Sequence, residues 1–163
     1  MHKIILVILV LVLQPTLTYA EEKNITMKIE QEIAALNQEQ QDDIKDWIDI
    51  GKDILAHYGI DKNLSVFENL DVVYEKWVKD IQEKPSEDSI ILGLGAIFGD
   101  RLLHHHGTSW KMITDTHGTD FAVILKTGHQ IYPMDFVAKR VYGDEKEIGF
   151  FSGMEKVVKN GFK

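Results

Sequence analysis

The sequence predicts an α+β domain: N-terminal helices, a small three-stranded antiparallel meander, then C-terminal helices. Three observations carry that reading. Apolar residues recur every three or four positions to about residue 105, the period falls to two past Gly107, and helical spacing returns after Pro133. The chain has 163 residues, 44% hydrophobic and 27% charged, with three prolines and no cysteine. Those figures exclude a disordered, collagen-like or disulfide-stapled protein and fit one ordinary globular unit.

The helices carry their own start and stop signals. Residues 21–36 place Ile29, Ile33 and Leu36 at a spacing that predicts a short first helix. From Gln38 to Tyr58, Ile44, Trp47, Ile48, Ile54, Leu55 and Tyr58 form one apolar stripe that includes Gly51, with Asn37 as cap and Gly59 as stop. Ser65 and Glu68 make a capping box for the next stripe, which contains Phe67, Leu70, Val73, Tyr74 and Trp77 and ends at Lys84-Pro85. Ser86 caps a third helix bearing Ile90, Leu94, Ile97, Phe98 and Leu102. Within it lie Gly93, Gly95 and Gly99, each costing about 1 kcal/mol in a helix interior. Close approach of another element to that face is the expected compensation.

In the meander, Trp110, Met112 and Thr114 alternate with Ser109, Lys111 and Ile113. Asp115-Thr116-His117-Gly118 reads as a turn, 121–125 as a buried strand, Thr127-Gly128 as a second turn and 129–132 as a third short strand. Pro133 then opens a helix carrying Phe136, Val137, Arg140 and Val141, and a last helix near 148–159 carries Phe151, Met154, Val157 and Val158.

The N-terminus predicts an export leader. Lys3 precedes an unbroken apolar run at 4–13, Gln14-Pro15 breaks it, and Ala20 stands before Glu21-Glu22. Ten apolar residues rise about 15 Å as a helix, half the thickness of a bilayer core, so the expectation is a signal peptide at 1–20 and no stable membrane anchor after cleavage. The single domain is then 21–163, in the periplasm or secreted. The formal charge is −8, and loss of Lys3 makes it one unit more negative. An acidic surface repels nucleic acid and anionic lipid, which leaves a basic protein or a small ligand as the expected class of partner.

One stretch carries a resemblance. Leu92-Gly93-Leu94-Gly95, Phe98-Gly99-Asp100, Trp110, the run from Thr114 through Asp120, Tyr132-Pro133-Met134-Asp135 and Lys139-Arg140 occur in that order. Over residues 90–142 the chain resembles a bacterial domain of unknown function, family 3806. The resemblance implies the α+β fold and a bacterial source. The family has no assigned activity, so it implies nothing catalytic.

Each candidate site has a functional and a plainer reading. His104-His105-His106 suggests a metal, but adjacent helical residues point about 100° apart, and a polar helix end is the simpler account. Gly93 to Gly99 lacks the spacing and the lysine of a phosphate loop, so it reads as a packing face. Asp115 and Asp120 flank a turn and could pair for acid–base work, or Asp115 bonds its own turn. Lys139 and Arg140, with Tyr132 and Phe136 nearby, could hold an anionic group, or they close a helix end and bridge to Asp135.

The nucleophile elbow G-x-S-x-G, C-x-x-C and H-E-x-x-H are all missing from the sequence. No catalytic residue, metal or cofactor is therefore assigned, and an enzyme is the lesser expectation. The first expectation is an exported, non-catalytic acidic binding protein, in its most concrete form an immunity-type protein that occludes a basic envelope-targeting toxin. The alternative is a periplasmic small-ligand binder or hydrolase. The residues expected to contact a ligand or partner are Trp110, Asp115, Asp120, Tyr132, Lys139 and Arg140.

Overall fold

The structure, a computed structural model, describes residues 31–143 and 147–161; the leader expected at 1–20 lies outside the described residues. The elements run β1 (Glu32–Ala35), α1 (Gln38–Tyr58), α2 (Val66–Lys79), α3 (Glu87–His106), β2 (Gly107–Asp115), β3 (Gly118–Leu125), β4 (Gln130–Ile131), α4 (Pro133–Val141) and α5 (Phe150–Asn160). Helices and a four-stranded antiparallel sheet in the order β1-β2-β3-β4 make it α+β. No helix among the described residues is long and apolar enough to cross a membrane.

The expected short helix ahead of α1 is corrected. Glu32–Ala35 is a strand, paired antiparallel with the far half of β2 so that Ile33 stands opposite Ile113. The meander therefore has a fourth strand on its β2 edge. Local spacing favoured a helix, and pairing with a strand far along the chain overrides it.

Caps fix the helix starts as their chemistry dictates. Asn37 and Gln40 form a capping box at α1, and Ser65 and Glu68 form one at α2. Ser86 accepts the Ser89 N–H at the start of α3. Helix α5 is capped from a distance: Gly149 has no side chain to offer, and buried Asp71 of α2 accepts the Phe151 and Ser152 N–H groups at 2.8 and 3.0 Å.

Helix α3 is the axis of the core, buried on nearly every side. Each of its glycines admits a different neighbour. A Cβ on Gly93 would lie 2.9 Å from the Cα of Gly51 in α1, one on Gly95 would lie 3.0 Å from the Cα of Met134 in α4, and one on Gly99 would strike the Trp110 indole and stand 2.8 Å from Pro133. The compensation expected from sequence is thus three close approaches rather than one. Phe98 stacks on Phe136 at 5.1 Å, and Phe150 and Phe151 complete an aromatic cluster joining α3, α4 and α5.

Register decides what the sheet presents. Trp110 faces Val123 across the β2–β3 ladder and Met112 faces Phe121, so these four share one side. That side meets the helices, with Trp110 over Gly99 and Phe121 edge-on to Trp47 of α1 at 5.1 Å. The opposite side carries Ile113 beside Asp120 and, two residues on, Asp115.

Candidate functional site

The β2–β3 hairpin ends in a two-residue loop, Thr116-His117, between paired Asp115 and Gly118. Asp115 binds its own turn, accepting the His117 N–H at 2.7 Å, as the plainer reading expected. The same carboxylate also lines an open cleft of about 520 Å³ where the hairpin, β4 and the start of α4 meet. Asp120 comes from β3, Gln130 from β4, Tyr132 from the β4–α4 junction, and Asp135 and Lys139 from one face of α4.

A chain of hydrogen bonds crosses the cleft. The Tyr132 hydroxyl donates to Gln130 Oε1 at 3.0 Å, and Gln130 Nε2 donates to Gln31 Oε1 at 3.3 Å.

Three carboxylates share this cleft with one ammonium, and their titration reflects it. Asp115 is held below the ordinary carboxylate range, chiefly by the His117 N–H and then by the His117 ring, Gln31 and the Gly118 N–H. Asp120 is pushed above that range, first by loss of water around it and then by Asp135 and Asp115. Tyr132 is raised by burial and by the same three acids, Asp115, Asp120 and Asp135. One carboxyl stabilised as an anion beside another disfavoured as one is the arrangement that divided acid–base roles require. Among the described residues, Lys139 makes no ion pair with Asp135 within 4.0 Å.

Of the six residues singled out in the sequence, four meet here: Asp115, Asp120, Tyr132 and Lys139. Two do not. Trp110 lies on the helix-facing side of β2, packed against Gly99. Arg140 points about 100° away from Lys139 along α4. Its guanidinium lies 4.2 Å over Phe136 and 5.1 Å from the centre of Phe150, donates to the Phe136 carbonyl at 3.1 Å and pairs with Glu147 at 3.4 Å. Arg140 therefore joins α4 to α5. With it gone and three acids around Lys139, a pocket floor for an anionic group is not what this face offers.

Asp135, Gln130 and Gln31 were missed in the sequence. Asp135 had a signal, since it stands four residues before Lys139 on one helix face. The two glutamines had none, because only the sheet brings residues 31 and 130 together.

The histidines at the end of α3 spread as the helix dictates: His104 reaches Asp100 at 3.6 Å, and the rings of His105 and His106 are 6.1 Å apart. Among the described residues no group of three or more His, Cys, Asp or Glu side chains is placed to hold a metal ion.

No curated protein and no solved structure matches the chain. Residues 69–149 match the family model described as Domain of unknown function (DUF3806). That stretch runs from α2 to the start of α5 and holds every cleft residue except Gln31. Across residues 69–149 the chain belongs to the DUF3806 family.

Proposed function

We propose that this is an exported, non-catalytic acidic protein that binds a basic protein through the cleft of Asp115, Asp120 and Asp135. Its most concrete form is an immunity-type protein that occludes a basic toxic enzyme in the cell envelope, with the leader at 1–20 removed after Ala20. The observation that carries the reading is the charge in the cleft: three carboxylates from three elements around Lys139 in an open cleft, with Asp120 and Tyr132 raised first by burial and then by the neighbouring acids. A lysine or arginine from a partner would offset that repulsion. Helix α1 adds to the field, with Glu39, Asp42, Asp43, Asp46, Asp49 and Asp53 against Lys45 and Lys52.

The test is capture of partners by the tagged chain from envelope extract, at low and high salt, beside the Asp115→Asn/Asp120→Asn/Asp135→Asn variant. One dominant basic protein, retained at low salt, weakened at high salt and lost with the triple variant, supports the reading. Capture that ignores salt, or that survives the triple variant, overturns it.

A second reading, a small-ligand binder or hydrolase, has one observation in its favour: Asp115 and Asp120 are displaced in opposite directions. It is separated from the first by turnover of a substrate panel, which Asp120→Asn abolishes only if Asp120 is a proton donor.

A further inference from the structure

Three side-chain polar atoms among the described residues are buried without a hydrogen-bond partner: the Tyr74 hydroxyl, His106 Nε2 and Arg101 Nε. Only Arg101 is permanently charged, and it lines a cavity. That cavity, about 220 Å³, lies between α1, α2 and α3. Leu55, Val66 and Ile97 give it apolar walls.

Lys52 on its wall is engaged, paired with Asp49 at 2.7 Å, and the Asp100 carboxylate lies 3.6 Å from His104 Nε2. The Asn69 amide donates to the carbonyls of Asp61 and Ser65 and accepts the Asp61 N–H. Arg101 has neither an ion pair nor a hydrogen bond among the described residues. The contrast with Arg140 is instructive. That arginine, also partly buried, is matched by Glu147, a carbonyl and two aromatic faces. A buried guanidinium Nε–H without an acceptor is costly to keep, and the usual partner for the planar fork it belongs to is a carboxylate.

We infer that this cavity binds a small monocarboxylic acid with a compact apolar body, its carboxylate paired with Arg101. Size sets the class: an apolar cavity of ~150 Å³ accepts benzene, so the space here takes one ring or a short alkyl chain with its carboxylate at the wall. Charge sets the sign: Arg101 and Lys52 on the wall outnumber Asp100, and Arg101 Nε is the buried donor left without an acceptor. This is the reverse of the acidic cleft, and the two sites are independent.

The experiment titrates phenylacetate, and separately its uncharged isostere phenylacetamide, into the isotopically labelled chain. NMR follows the Arg101 Nε–H resonance and the methyls of Leu55 and Ile97. Phenylacetate gives a saturable shift at all three, and phenylacetamide binds about tenfold more weakly or worse. Arg101→Met, which keeps the apolar stem, lowers phenylacetate affinity by about the same factor and leaves phenylacetamide unchanged. Val66→Trp, which fills the cavity from α2 and leaves the charge in place, abolishes binding of both and serves if Arg101→Met does not fold. No saturable shift, equal affinity for the two compounds, or unchanged binding in Arg101→Met would overturn the assignment.

Discussion

Along α3 the limiting quantity is space, whereas at the cleft by the hairpin tip it is charge. Around Gly93, Gly95 and Gly99 backbone and rings approach so closely that a Cβ would crowd its neighbour at Gly95 and clash at Gly93 and Gly99, and the neighbours are α1, α4 and the sheet. Around Asp120 there is room enough, but three acids share the field of one lysine. The first region gains stability from contact and tolerates no addition. The second gives up some stability to keep an unbalanced potential facing solvent. Regions of the first kind hold a fold, and regions of the second kind are where binding is to be sought.

The sharpest way to break this comparison is in the helix. Gly93→Val puts a branched side chain against the Gly51 backbone, which cannot move without shifting α1. The expected loss is about 3 kcal/mol or more, read by urea denaturation. A loss under about 1 kcal/mol would mean that α1 and α3 can slide apart freely.

A smaller effect separates neighbours on α4. Arg140→Ala removes the contact with Phe136 and Phe150 and the Glu147 pair, and is expected to cost about 1 kcal/mol in thermal or urea unfolding. Lys139→Ala changes stability by less than about 0.5 kcal/mol. Partner capture reverses the ranking. Lys139→Ala strengthens retention of a basic protein at low salt, and Arg140→Ala leaves it unchanged. Equal behaviour of the two variants in both assays would remove the distinction drawn here.

The smallest effect is a pH dependence of opposite sign for the two hairpin carboxyls. Asp120 has its folded-state pKa raised, so the folded state holds its proton longer and this group's contribution falls as pH rises past the ordinary carboxylate value. Asp120→Asn is therefore slightly more stable than the parent at pH 7, and the gain vanishes below the ordinary aspartate range. Asp115 has its folded-state pKa lowered, so its contribution is present above the ordinary value and is lost as pH falls through the folded one. Asp115→Asn is less stable at pH 7, and the deficit closes in acid. Melting curves of the two variants and the parent from pH 7 down to pH 3 check both signs, and parallel curves would refute the opposed shifts.

Much of the scaffold was readable because its signals are local. Asn37, Ser65 and Ser86 cap the helices that their side chains predict, and the Asp115 turn forms as its residues require. Strand β1 was not readable: Glu-Ile-Ala-Ala has no strand signature, and its partner lies in β2, far along the chain. The candidate site was half readable. Trp110 and Asp115 are separated by an odd number of residues on one strand, which already places them on opposite faces. Lys139 and Arg140 are adjacent on a helix and diverge for the same kind of reason. Parity and helical angle thus separate two of the six chosen residues, while Gln31 and Gln130 needed the sheet itself.

The hydrogen bond from Gln130 to Gln31 ties the cleft to the β1 end of the sheet. Strand β1 has four residues, all of them exposed, and among the described residues it pairs along one edge only. Such a strand peels away at far lower free energy than global unfolding. When it does, Gln31 leaves with it and the Gln130 amide loses its acceptor. If a partner seats in the cleft as proposed, its apparent affinity is the intrinsic affinity scaled by the fraction of molecules with β1 docked.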